Sequence, residues 1–138
     1  MYIVIMSNHG GIFFTYLGCM DGRTKEPAVG FGRKKFNAMF ADTITEAGLD
    51  KLLANVKEGS EVYNSIKNKI RISLDKHGSR GIIIEGHEDC AGNPVDKKQH
   101  FKDIRASVEK VRIMFPDRDI NVCGIYVKLN PEIIVERV

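Results

Sequence analysis

Short apolar runs alternate along this chain with longer stretches in which apolar residues recur at helical spacing. The apolar or β-branched runs cover residues 2–6, 12–17, 41–44, 82–84, 120–127 and 133–135. Runs of this length, separated by turn-forming residues, predict β-strands. The run at 82–84 lies between glycines and has no polar residue, which indicates a strand buried inside a parallel sheet. The last run follows an Asn-Pro pair and is expected at an edge of the sheet.

Three stretches between these runs have the spacing of amphipathic helices. Their apolar positions are Leu49, Leu52, Leu53 and Val56 in the first, Val62, Ile66, Ile70 and Leu74 in the second, and Phe101, Ile104, Val108 and Val111 in the third. Ser60 is placed to cap the second helix and Gly78 to end it. Residues 24–35 contain one proline and two glycines, and we expect a flexible, basic loop there.

Strands that alternate with helices of this length predict βαβ units. We therefore expect an α/β fold with a mostly parallel β-sheet flanked by helices. The length of 138 residues suits one domain, which we expect to span residues 1–138. The chain has no GxGxxG motif after a strand and no GxxxxGK[ST] motif, so the common phosphate-binding loops are absent.

Composition and charge narrow the class of partner. Hydrophobic residues make up 43% of the chain and charged residues 28%, which is the balance of a soluble globular protein. The net charge of +3 is mild and the basic residues are dispersed apart from Arg33, Lys34 and Lys35, so we expect no nucleic-acid partner. No apolar run has membrane-spanning length and the first residues lack a signal-peptide pattern. We therefore expect no membrane contact and a cytoplasmic location.

Two predicted strand ends carry the residues with the most distinctive chemistry. Cys19 follows one strand, and His87 and Cys90 follow another. Ligands bind at the carboxyl ends of strands in open α/β sheets, so these ends are expected to meet. His87 and Cys90 can face the same way if the chain turns tightly or begins a helix there. Two thiolates and one imidazole make three of the four ligands of a tetrahedral zinc site.

Asp21 and Arg23 follow Cys19 at alternate positions and lean toward the same site if the chain is extended. Asp21 then has two options. It can occupy the fourth position on the metal, or it can pair with Arg23 through a bidentate contact and leave that position to water.

Cys-x-Asp-x-Arg at one strand end and His-x-x-Cys at another resemble the zinc-site motifs of β-class carbonic anhydrases, and the two motifs occur in the same order. The resemblance implies that Cys19, His87 and Cys90 bind Zn2+. It also implies that Arg23 holds Asp21 off the metal, while Asp21 accepts a hydrogen bond from zinc-bound water or hydroxide.

The function implied by this resemblance is that of a zinc lyase, a carbonic anhydrase that reversibly hydrates carbon dioxide to bicarbonate through zinc-bound hydroxide. The resemblance also implies a homodimer or a higher homo-oligomer. Two alternatives stay open. One is a related zinc hydrolase that acts on carbonyl sulfide or carbon disulfide, and the other is a catalytically silent zinc-binding domain in which Asp21 closes the site.

The chain departs from the family pattern around these motifs. Gly22 stands where the family usually has serine, and Ala91 stands where a glycine directly follows the second cysteine. Of the family stretch Asn-Ala-Gly-Gly, only Ala47 and Gly48 remain. These changes keep the three ligands and concern the shape of the pocket around them.

The remaining histidines and the third cysteine are expected to be structural. His9 lies in a predicted turn, and His77 and His100 lie in or beside predicted helices, so all three are expected at the surface. Cys123 lies inside an apolar run and is expected to be a small buried core residue.

Overall fold

The computed structural model describes residues 1, 3 and 11–138. The described part of the chain forms five strands and four helices. In chain order these are β1 (Phe13–Gly18), α1 (Lys25–Phe36), β2 (Phe40–Thr45), α2 (Leu49–Asn55), α3 (Glu61–Lys76), β3 (Ile82–His87), α4 (Lys97–Met114), β4 (Val122–Lys128) and β5 (Ile134–Arg137). The strand expected at 2–6 and the turn that contains His9 lie outside the described residues.

All five strands belong to one sheet, in the order β2-β1-β3-β4-β5. The first four are parallel to one another, and β5 pairs with β4 in the antiparallel sense at the edge. All six residues of the central strand β3 are buried, and the apolar run at 82–84 predicts this for the first three. The α/β fold with a mostly parallel sheet is therefore confirmed, as is the edge position of the last strand.

Helices cover both faces of the sheet and give the protein two hydrophobic clusters. Helices α2, α3 and α4 pack on one face, against side chains such as Ile82 and Ile84. Helix α1 packs on the other face, against side chains such as Phe14 and Ile83. The alternation of Ile82, Ile83 and Ile84 between the two clusters follows from the two-residue period of a strand. No helix in the described ranges is long and apolar enough to cross a membrane.

The expectation of a flexible loop over residues 24–35 is wrong, because these residues form most of helix α1. Pro27 lies in the first turn of the helix, where its missing N–H would have had no partner. Gly32 allows close packing, because a Cβ at that position would overlap the ring of Phe14. The proline and this glycine therefore indicate a helix start and a close helix–sheet contact, and the basic residues fall in the last turn, which the helix dipole favours.

The three predicted helices are confirmed. The hydroxyl of Ser60 accepts a hydrogen bond from the backbone N–H of Tyr63 at the start of α3. Gly78 follows the end of α3 with a φ of 60°, a left-handed conformation that glycine adopts without strain.

Candidate metal centre

The carboxyl ends of β1 and β3 bring the three expected ligands together. The two strands are parallel neighbours, so Cys19, just after β1, lies beside His87, the last residue of β3. Asp89 has a φ of 54°, and this tight turn returns Cys90 toward His87. One ring nitrogen of His87 and the two sulfur atoms all lie within 4.8 Å of one another, and the three residues are buried. The two Sγ atoms are 3.9 Å apart.

The hydrogen bonding of His87 fits a metal ligand. Its Nδ1 lies 2.7 Å from the backbone oxygen of Glu88, and because a carbonyl only accepts, Nδ1 carries the proton. The other ring nitrogen, Nε2, is buried and has no hydrogen-bond partner among the described residues. Metal-binding histidines commonly donate the second ring N–H to a carbonyl in this way. An imidazole with a buried, unused lone pair next to two thiols is ready to bind a cation.

The sulfur of Cys19 receives a backbone hydrogen bond, because the N–H of Gly48 lies 3.5 Å from its Sγ. Burial raises the pKa of the Cys90 thiol, and the backbone N–H groups of Asn93 and Gly92 act in the opposite direction. Two thiolates and one imidazole form a donor set that suits zinc, and three protein ligands leave one tetrahedral position over.

Asp21 pairs with Arg23 and is not one of the three clustered ligands. The guanidinium donates from Nη2 to Asp21 Oδ2 at 2.8 Å and from Nε to Oδ1 at 3.1 Å, and the backbone N–H of Arg23 adds a bond of 2.9 Å to Oδ1. These contacts lower the pKa of Asp21 to about 2. Arg23 also contacts Asp89, through Nη1 to Oδ2 at 3.3 Å and Nη2 to the backbone oxygen at 3.2 Å. The arginine thereby links the loops after β1 and β3.

Glu85 is a buried part of this region that the sequence analysis did not identify. Its Oε2 accepts hydrogen bonds from the hydroxyl of Tyr16 at 2.8 Å and from the N–H of Cys19 at 3.0 Å. Burial raises the pKa of Glu85 to about 7. The available signal was one acidic residue directly after three isoleucines in a run that had to be buried. The hydrogen bond from its N–H to the Glu85 carboxyl therefore holds the backbone of Cys19 in place.

Gly48 and Gly92 join the loops that surround the two thiols. Gly48 has a φ of 61°, and a Cβ there would lie 2.5 Å from the backbone oxygen of Gly92. A Cβ on Gly92 would lie 2.5 Å from the backbone carbon of Ala47. Only two glycines allow the two backbones to approach this closely. The part of the family stretch that this chain keeps, Ala47 and Gly48, is the part that makes this contact.

The expectation that His100 is exposed is wrong. His100 is fully buried, and its Nδ1 lies 2.6 Å from Oδ2 of Asp50, which is buried as well. Nothing in the local pattern around His100 identifies a partner fifty positions away. The expectations for His77 and Cys123 are confirmed, because His77 lies at the surface and Cys123 is a buried core residue of strand β4.

The chain is similar to one protein family in sequence and to several solved structures in fold. A family model described as "Putative carbonic anhydrase" matches residues 9–137. No curated protein is similar enough to the chain to count as a match. Three of the similar solved structures are β-carbonic anhydrases. Isoform I from the protozoan Trichomonas vaginalis is 18% identical, with 99% of this chain and 86% of that one covered and a TM-score of 0.55.

The other two are fungal. CafA from Aspergillus fumigatus is 13% identical, with 93% and 76% of the two chains covered and a TM-score of 0.52. A tetrameric enzyme from Sordaria macrospora is 10% identical, with 93% and 81% covered and a TM-score of 0.58. At these identities the solved structures establish a shared fold, while the family model spans nearly the whole chain. This protein belongs to the family described as putative carbonic anhydrase, and its fold is that of the β-carbonic anhydrases.

Proposed function

We propose that this protein is a zinc-dependent carbonic anhydrase that reversibly hydrates carbon dioxide to bicarbonate. In this proposal Cys19, His87 and Cys90 hold the zinc ion, and Asp21 and Arg23 are the catalytic pair. The observation that carries the proposal is the bidentate ion pair of Asp21 with Arg23 beside three buried zinc-type ligands. A closed structural site would need Asp21 as its fourth ligand, and the ion pair keeps both carboxylate oxygens occupied.

When bound, zinc supplies Lewis-acid chemistry that generates a nucleophile from water near neutral pH. Arg23 keeps Asp21 ionised and fixes the direction of its carboxylate. Asp21 is therefore able to accept a hydrogen bond from water at the centre and to orient it. Glu85 and Gly48 hold the backbone and the sulfur of Cys19, and the Glu88 carbonyl fixes the ring of His87. These contacts hold the ligands before any substrate arrives, which lowers the cost of reaching the reactive geometry.

The ligand assignment is tested by zinc content after loading and desalting. We expect one zinc ion per chain in the wild type and loss of tight binding in the Cys19→Ser and Cys90→Ser variants. Cys123→Ser is the matched control, because Cys123 and Cys90 have the same 3% exposure. Full zinc occupancy in Cys90→Ser would show that the ligands are assigned wrongly.

The reaction is tested by stopped-flow hydration of carbon dioxide with zinc-loaded protein at neutral and mildly alkaline pH. We expect activity well above buffer that rises with pH. Arg23→Ala should lower this activity by about a hundredfold, since Arg23 holds Asp21 in position and a displaced group in an active site can cost about 10²-fold. Arg118→Ala is the control, because it removes another exposed arginine ion pair, at 2.6 Å to Asp75. Unchanged activity in Arg23→Ala would contradict the role of the pair.

The same preparation separates the alternatives. Zinc-loaded protein that hydrates no carbon dioxide but hydrolyses carbonyl sulfide or carbon disulfide would assign the chain to another substrate of the same chemical class. Zinc-loaded protein without either activity would indicate a silent zinc domain.

We further propose a homodimer or a higher homo-oligomer in the cytoplasm. The Sordaria macrospora enzymes of this fold are tetrameric, which supports self-association. The three cysteines are free, as expected in a reducing compartment. Light scattering coupled to size-exclusion chromatography tests the oligomer, and a mass of one chain at micromolar concentration would contradict it.

A further inference from the structure

A cluster of buried polar side chains lies behind the loop that follows Cys90. This buried polar cluster consists of Asp50, Asn93, His100, Asp103 and Ser107. All five are at most 8% exposed, and they come from α2, α4 and the loop after β3. Burying so many polar groups is costly unless each is held by hydrogen bonds, so the cluster needs a structural or functional explanation.

Asn93 joins this cluster to the candidate metal centre. Its side-chain nitrogen donates to Oδ1 of Asp50 at 3.1 Å and to Oδ2 of Asp103 at 2.9 Å, which uses both amide hydrogens. Asn93 lies three residues after Cys90, next to Gly92, whose backbone closely approaches that of Gly48. The loop that carries Cys90 is therefore held to two buried carboxylates through the side chain of one residue.

The two carboxylates are themselves fixed by other elements. Asp50 contacts His100 Nδ1 at 2.6 Å, and Asp103 accepts from Gln99 Nε2 at 2.9 Å. Ser107 Oγ lies 2.8 Å from the backbone oxygen of Asp50 and 2.7 Å from that of Asp103, so it ties α2 to α4 without touching Asn93. The anchor of the Cys90 loop is thus built on two helices of the core.

We propose that Asn93 is a positioning residue for Cys90: Asp50 and Asp103 clamp its side chain and so fix the course of the loop that places the sulfur of Cys90 beside Cys19 and His87. This inference rests on the proposed function, because it assigns Cys90 to the metal. Groups that hold a metal ligand in its binding position raise the affinity for the metal, so the loss of the clamp should weaken metal binding.

The test compares Asn93→Ala with Ser107→Ala. Both remove buried polar atoms from the same cluster, and Ser107→Ala leaves the contacts of Asn93 in place. Cobalt(II) and zinc affinities are measured by chelator competition, and the cobalt-loaded proteins are compared by their thiolate-to-cobalt charge-transfer absorption. We expect Asn93→Ala to bind both metals about 10–100-fold more weakly, the usual cost of removing a group that supports a ligand. We also expect its charge-transfer band to shift, while Ser107→Ala matches the wild type in both measurements.

A second readout needs no metal. In the metal-free protein, alkylation of Cys90 by iodoacetamide is followed by peptide mass spectrometry, with Cys123 as the internal reference. We expect faster alkylation of Cys90 in Asn93→Ala and no change in Ser107→Ala. If Asn93→Ala does not fold, Asp103→Asn weakens the same clamp at its acceptor. The single amide oxygen that this substitution leaves would have to accept the hydrogen bonds of both Asn93 and Gln99. Its metal affinity should fall between those of the wild type and of a variant without the clamp.

Failure of this inference is distinguishable from failure of the proposed function. If the wild type binds metal through Cys90 and Asn93→Ala binds it no more weakly than Ser107→Ala, the clamp has no positioning role and the metal site stands. If the wild type binds no metal, the proposed function fails, and the alkylation rate alone decides the inference. Equal alkylation of Cys90 in the wild type and Asn93→Ala would then overturn it.

Discussion

Replacing Gly48 with alanine tests how far the two thiol-bearing loops depend on their close backbone contact. The added methyl group would lie 2.5 Å from the backbone oxygen of Gly92 and 2.9 Å from the nitrogen of Asn93. Both neighbours are main-chain atoms, so no side-chain rotation can relieve the overlap. The φ of 61° at Gly48 adds a separate cost, because alanine rarely adopts that conformation.

The size of the effect follows from these two terms. A left-handed conformation costs a non-glycine residue about 1–2 kcal/mol, and overpacking costs about 1–3 kcal/mol more. The free energy of unfolding should therefore fall by about 2–5 kcal/mol, a large part of the roughly 5–15 kcal/mol that stabilises a typical domain. Zinc binding should also weaken, because Gly48 donates to Cys19 and its contact partner Gly92 lies in the loop just after Cys90.

Alanine substitutions at two other glycines allow the conformational cost and the overpacking cost to be measured separately. Gly59 has a φ of 83° and open space around a Cβ, so Gly59→Ala should cost only the conformational term. Gly30 lies in helix α1 with open space, so Gly30→Ala should stabilise the protein by about 0.5–1 kcal/mol. Urea unfolding of the metal-free variants gives all three values. A Gly48→Ala protein no less stable than Gly59→Ala would refute the reasoning, because the backbone contact would then yield at no cost.

Three further predictions concern the same protein. Asp50→Ala leaves His100 buried without its partner and should lower the free energy of unfolding by about 3–5 kcal/mol in urea; a loss below about 1 kcal/mol would mean that the pair is not held as described. Ser60→Ala removes the N-cap of α3 and should cost about 1 kcal/mol in the same assay, whereas no loss would show that the cap is replaced by water. Zinc at a hundred times its dissociation constant should stabilise the wild type by about 2.7 kcal/mol over chelator-treated protein in thermal unfolding. Cys90→Ser should show no such difference, and an equal shift in that variant would point to another metal site.

The described strands and the cluster of Cys19, His87 and Cys90 could be predicted from the sequence because their signals are local. An apolar run between glycines specifies a buried strand, and topology alone then brings the carboxyl ends of β1 and β3 together. Cys19, His87 and Cys90 meet for that reason, without any need to know their contacts in advance.

Helix α1 was not predicted because proline and glycine are each typical of a loop. Pro27 is tolerated because it lies in the first turn of the helix, and the position of that turn is not marked by a side-chain cap at Thr24. Gly32 is required by the ring of Phe14, which lies in a different element, so tertiary packing overrides the local propensity there.

The buried polar cluster could not be predicted for a related reason. Asp50 is 43 positions from Asn93 and 50 from His100, and asparagine and aspartate usually lie at the surface. Only their mutual hydrogen bonds make burial favourable, and those bonds depend on how α2 packs against α4.

X-ray absorption at the zinc edge of the zinc-loaded protein tests the central claim most directly. Zinc held by Cys19, Cys90 and His87 with one position open to solvent should show two sulfur neighbours at about 2.3 Å and two nitrogen or oxygen neighbours at about 2.0 Å. Cys90→Ser should lose one of the two sulfur neighbours. A zinc ion with no sulfur neighbour in the wild type, or with both sulfur neighbours still present in Cys90→Ser, would contradict the metal centre on which the proposed function depends.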